Sequence, residues 1–130
     1  MSHSILVVDD NELNLKLAQK ILAISGYEVI AASRGEQAIE MACARRPDLI
    51  LLDIRLPDID GLEVLRRLRS LPETKDVPIV AMTAQAMPEE VDRFVAAGCD
   101  GYIQKPISLQ TFRAEVQRHL TAATEEARRP

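Results

Sequence analysis

Apolar residues gather in five short runs, and between them the spacing turns helical. Ile5 to Val8, Leu49 to Leu52 and Ile79 to Met82 are continuous aliphatic runs bounded by turn residues, the signature of strands buried on both faces. Tyr27 to Ala32 alternates and reads as a further strand, and Gly101 to Gln104 as a short last one. Helical periodicity covers residues 12–25, Glu36 to Arg46, Gly61 to Leu71, Glu89 to Ala97 and a final stretch from Ser108 to about Leu120. The punctuation agrees. Asn11 or Asp10 can cap the first helix, Ser33 the second and Ser108 the last. Pro88 suits a first helical turn, while Gly26, Pro47-Asp48 and Gly98 are stops. Five β-α repeats with short connections predict an α/β fold of three layers, a doubly wound parallel sheet with helices on both faces. The first helix carries more apolar residues than one face can bury: Leu13, Leu15, Leu17, Ala18, Ile21, Leu22 and Ile24. Some of these are expected to stay outside as a docking surface, although period alone does not say which.

Composition narrows the class. A chain of 130 residues is enough for one domain with a real core, and without tryptophan that core must be aliphatic. The expected division is a domain over residues 1–121 and a short flexible tail over 122–130. A net charge of −4 argues against direct nucleic-acid binding, and the cluster Arg66, Arg67 and Arg69 reads as a solvated helix face. Cys43 and Cys99 lie in no metal-ligand spacing and read as two reduced thiols in or near the core. His3 and His119 read as surface residues. No apolar run approaches the ~18 residues of a membrane span, and residues 1–4 lead straight into a strand without signal-peptide structure. The expectation is a cytoplasmic protein with no membrane insertion.

The chemistry lies at the carboxyl ends of the strands, where ligands bind in open α/β sheets. The first strand delivers Asp9 and Asp10, the third Asp53, the fourth Thr83 and the fifth Lys105. Crowded carboxylates repel one another, and a hard divalent cation with oxygen ligands relieves that repulsion. Mg²⁺ fits, with Mn²⁺ as a substitute. A carboxylate beside such an ion can act as a nucleophile on phosphorus, with the Thr83 hydroxyl and the Lys105 ammonium placed for the remaining phosphoryl oxygens.

Taken together, Asp9-Asp10, Asp53 followed by Pro57 and Asp60-Gly61, Thr83-Ala84 and Lys105-Pro106 resemble the receiver domain of response regulators in two-component signalling. The likeness runs from residue 4 to about 120. The opening Val8-Asp9-Asp10-Asn11-Glu12-Leu13-Asn14 is similar to the single-domain DivK-type regulators. The resemblance, and not the spacing, implies a flavodoxin- or CheY-like strand order of 2-1-3-4-5. It implies Asp53 as phosphoacceptor, and Asp9, Asp10, Asp53 and the backbone carbonyl of Arg55 as metal ligands. Thr83 matches the switch hydroxyl, Lys105 the phosphate contact and Tyr102 the aromatic switch residue. A cis Lys105-Pro106 bond is also implied. The donor would be a histidine kinase or a histidine phosphotransfer protein. The output would be a protein target bound through the fourth helix, fifth strand and fifth helix. The chain would then be a switch, and no enzyme beyond its own phosphorylation and dephosphorylation. The alternative is a receiver module cut from a larger regulator or hybrid histidine kinase. A phosphatase of the haloacid-dehalogenase kind needs a second acid two residues after the nucleophile, where this chain has Arg55. Arg55 and Gln85 depart from the commonest receiver pattern without removing a required group.

Overall fold

A computed structural model describes residues 3–83, 87–105 and 109–128. The chain alternates β1 (Ser4–Val8), α1 (Glu12–Ile24), β2 (Glu28–Ala32), α2 (Gly35–Arg45), β3 (Leu49–Asp53), α3 (Gly61–Ser70), β4 (Ile79–Thr83), α4 (Pro88–Ala96), β5 (Gly101–Gln104) and α5 (Leu109–Arg128). The strands form one parallel sheet in the order β2-β1-β3-β4-β5. The order reverses direction between β1 and β3, and that switch point opens a crevice above their carboxyl ends.

Successive strand residues point to opposite faces, and the core divides accordingly. On one face Ile5, Val7, Leu49, Leu51, Val80 and Met82 meet Ala18, Ile21 and Leu22 of α1 and Phe112, Val116 and Leu120 of α5. On the other, Leu6, Val8, Ile50, Leu52 and Ile79 meet Ala38 and Ala42 of α2 and Val64, Leu65 and Leu68 of α3. Each fully buried Leu, Ile or Phe contributes about 1.5–3 kcal/mol of transfer free energy. These two layers therefore hold β1, β3 and β4 rigidly beneath the crevice. In contrast, α4 has no fully buried residue; half-buried Phe94 within it and Ala97 just past its end pack against the second layer.

The structure decides between the expected helix ends and changes some of them. α1 is capped by the Asn11 side chain, which accepts from the backbone N–H groups of Leu13 and Asn14. α2 is not capped by Ser33. Its N-cap is Arg34, which makes no side-chain cap hydrogen bond, and the Ser33 N–H instead donates to Gln37 Oε1. α5 runs on to Arg128 rather than ending near Leu120, as the good helix formers Ala122, Ala123, Glu125, Glu126, Ala127 and Arg128 permit. Ser108, Pro106 and Gln85 lie outside the described residues, as do the expected cap and cis bond that rest on the first two.

Two side chains read as surface are not. His119 is buried on α5 and lies so close to β5 that a Cβ on Gly101 would come within 2.7 Å of its Nε2. Arg69 donates to the carbonyls of Gly98, Lys75 and Val77 and to Asp100 Oδ2. It thereby ties α3 to the loops on either side of the β4–α4 unit. Arg66 and Arg67 do face solvent, with Arg67 paired to Glu36 and Glu63. Cys43 and Cys99 are free, half-buried thiols. Among the described residues no helix is long and apolar enough to cross a membrane.

Candidate functional site

Four strands, β1, β3, β4 and β5, end at the crevice, and each delivers a polar group. Asp53 is the last residue of β3 and Thr83 the last of β4. Both are buried, as is Asp9 just past β1. Lys105 follows β5 directly, and its N–H donates to the Thr83 carbonyl at 2.7 Å, which carries the β4–β5 pairing one step beyond the strand. Its Nζ reaches back across the sheet to Asp9 Oδ2 and Asp53 Oδ2, both at 3.0 Å. Asp9 Oδ1 accepts from the Asn11 N–H at 2.9 Å and Asp53 Oδ1 from the Arg55 N–H at 3.0 Å. Each buried carboxylate thus has one oxygen held by the backbone and the other by the ammonium.

Exposed Asp10 completes the group. One oxygen from each of Asp9, Asp10 and Asp53 can be chosen so that all three lie within 4.8 Å of one another. Three hard, anionic oxygen donors at that spacing suit Mg²⁺ or Mn²⁺ and not a soft metal. The residues present therefore fit the ion that the sequence implied.

Burial pushes the Asp53 carboxyl up from its ordinary value. The Arg55 N–H and the Lys105 ammonium pull it down without overcoming burial, and neighbouring Asp9 adds to the rise. Lys105 shows the complementary balance. Burial alone would lower it, but its hydrogen bonds to Asp9 and Asp53 prevail and raise it. Desolvation acts against the charged form of each partner, raising the carboxyl and lowering the ammonium; burial wins for the carboxylate and pairing for the ammonium, so both shifts point upward.

The structure therefore brings Asp9, Asp10, Asp53 and Lys105 together, with Thr83 at the adjoining strand end. The Arg55 side chain is exposed and lines an open groove of about 450 Å³ with Asp58, Asp60, Glu90 and Arg93. Tyr102 stands apart on β5, opposite Ala81, with its side chain half exposed. Asp58, read from the sequence only as a turn residue, turns out to have a partner. Its carboxylate accepts from the backbone N–H groups of Gly35 (2.8 Å) and Glu36 (3.0 Å) at the start of α2. Those two bonds hold its carboxyl down at about 2.

A parallel 2-1-3-4-5 sheet with an acidic cluster and a lysine above its switch point defines the class as a doubly wound α/β domain of the CheY-like kind. Residues 5–117 match the response regulator receiver domain, and the chain belongs to that family. It is 42% identical over 120 residues to the polar-differentiation response regulator DivK of Brucella anthropi, covering 92% of this chain and 98% of that protein. Among solved structures it superposes on a CheY-like receiver domain protein from Methanospirillum hungatei with a TM-score of 0.91, at 28% identity over 97% of this chain and 99% of that one. It also matches the receiver domain of a sensor histidine kinase from Pseudomonas aeruginosa, with a TM-score of 0.86 and 33% identity over 93% and 99% of the two chains. That structure has a magnesium ion coordinated in its active-site cleft.

Proposed function

We propose that this protein is a single-domain response regulator of a two-component or phosphorelay pathway that takes a phosphoryl group onto Asp53. The observation that carries the reading is the convergence of Asp9, Asp10 and Asp53 above the switch point, with Lys105 bridging two of them. Asp9, Asp10, Asp53 and the Arg55 backbone carbonyl would hold Mg²⁺, which when bound supplies charge neutralisation to phosphoryl oxygens. The Asp53 oxygen attacks phosphorus as the bond from phosphorus to the donor imidazole breaks, and the electron pair leaves with that ring. Lys105 then moves from carboxylate to phosphoryl oxygen, and the Thr83 hydroxyl donates to another. Burial of Asp53 excludes water from one side of the product.

The donor is a phosphohistidine on a histidine kinase or histidine phosphotransfer protein. Exposed Leu13 and Leu17 on the first turns of α1 offer it an apolar contact beside the crevice. The downstream target is a protein bound at α4, β5 and α5, where Met87, Val95 and Tyr102 are exposed. Acetyl phosphate with Mg²⁺ should add one phosphoryl group, read by intact mass, and Asp53→Asn or a chelator should abolish it. Undiminished labelling of Asp53→Asn would remove the assignment.

A further inference from the structure

The loop between β3 and α3 carries Arg55, whose carbonyl the proposed site uses, and its fastening is visible. Its base is closed by the Gly61 N–H donating to the Ile54 carbonyl at 3.1 Å. A Cβ on Gly61 would overlap the Ile54 backbone, so the two ends touch with nothing between them. Asp60 is the α3 N-cap and accepts from the Leu62 N–H at 3.0 Å. The outer part of the loop is held from elsewhere. Asp58 spans 22 and 23 residues of sequence to bind two adjacent N–H groups at the start of α2. Ile59 packs directly on Gly35, where a Cβ would overlap its side chain. The same end of α2 is braced against α3 through Glu36 and Arg67, 2.8 Å apart.

Resting on the phosphoacceptor reading above, we infer that Asp58 is a positioning residue for the metal site: its two-oxygen clamp on α2 fixes the loop that carries the Arg55 carbonyl assigned to the ion. Between Asp53 and Asp58 the chain makes a short span. Its near end is held by the Arg55 N–H on Asp53 Oδ1 and its far end by the Asp58 clamp. Release of the far end lets the peptide plane after Arg55 rotate, and an oxygen ligand that must be ordered at each binding event binds the ion less tightly. The competing account is that Asp58 merely caps α2, whose own N-cap residue, Arg34, contributes no side-chain bond. The backbone at Arg34 is extended (φ −138°, ψ 154°), the conformation in which an asparagine side chain caps a helix. A local cap can therefore be supplied without the clamp, and this separates the two accounts.

The experiment is a MgCl₂ titration followed by amide NMR shifts of Asp9, Asp53 and Arg55, with melting temperature measured in parallel. The proteins are wild type, Asp58→Ala, Asp58→Asn, Arg34→Asn and the double variant Asp58→Ala/Arg34→Asn. Asp58→Ala should weaken Mg²⁺ binding about tenfold, the lower end of what loss of an outer-shell support costs. Asp58→Asn, keeping one acceptor oxygen, should fall between. In the double variant the melting temperature should recover while Mg²⁺ affinity stays weak. Affinity that returns with stability, or Asp58→Ala binding Mg²⁺ like wild type, overturns the inference. A wild-type protein with no Mg²⁺-dependent shifts overturns the site reading itself and this inference with it.

Discussion

Lys105 balances two buried carboxylates at once, yet three carboxylates converge around it. With all three ionised the cluster has two negative charges in excess of its one positive charge, and a divalent cation matches that excess. Mg²⁺ should thus stabilise the folded chain by an amount set by its concentration over its dissociation constant, about 1.4 kcal/mol at a tenfold ratio. Asp10 is the telling residue because it is exposed, so its substitution leaves no cavity. Asp10→Asn should melt no lower than wild type without metal and should lose most of the rise that MgCl₂ gives the wild type. An equal rise in both proteins would mean that Asp10 is not a ligand. The residues of this cluster were legible in the sequence because each follows directly on a strand that the apolar runs define. Asp58 was not, since its partners at Gly35 and Glu36 lie across the fold and a turn aspartate has many uses. Arg69 was missed for a related reason: most of its partners are backbone carbonyls, which leave no trace in side-chain patterning.

Elements whose burial follows a simple period were readable almost to the residue, and α5 shows both the power and the limit of that period. Phe112, Val116 and Leu120 are buried at intervals of four. His119 falls seven residues after Phe112 and so lies on the same stripe, a signal outweighed by the ordinary exposure of histidine. For α1 the period could not choose among its leucines. The sheet chose, burying Leu22 and leaving Leu13, Leu17 and Ile24 outside. Burial of His119 has a pH consequence. Desolvation lowers its pKa from the ordinary value and Arg118 lowers it further, against weaker opposing effects of Glu115 and Asp100. A histidine whose folded pKa is depressed gives its full stability above the unfolded value, near 6.5. That stability is lost as pH falls below it toward the folded value, because the unfolded chain takes up the proton first. Wild type should therefore lose more melting temperature between pH 7.5 and 5.5 than His119→Gln, a comparison in which the other titrating groups cancel. Parallel loss in the two proteins would show that the contact between α5 and β5 is insensitive to this ring.

Across the molecule, rigidity is unevenly distributed, and the uneven part lies where output is proposed. β3 and β4 are buried along their whole length, whereas α4 has no fully buried residue and Tyr102 on β5 stands half exposed. Weakly packed elements are the ones that can rearrange at small cost. Thr83 links the two regions. Its carbonyl accepts from the Lys105 N–H, and its side chain borders a narrow apolar pocket shared with Val91, Phe94, Val95, Cys99 and Tyr102. That pocket offers about 10 Å³, room for a single water and far too little for a phenol ring. On the proposed switch reading, an inward turn of Tyr102 would therefore require Thr83 and α4 to yield with it. On that reading a phosphoryl group on Asp53 would favour the yielded state to the extent that the Thr83 hydroxyl binds it better there. Thr83→Ala removes that differential contact while leaving Asp9, Asp10, Asp53 and Lys105 intact. It should accept phosphate from acetyl phosphate to the same extent by mass. Its phosphorylation-induced amide shifts should stay near Asp53, whereas those of wild type should extend to Tyr102 and along α4. Remote shifts of wild-type size in Thr83→Ala would show that the signal leaves the crevice by another route.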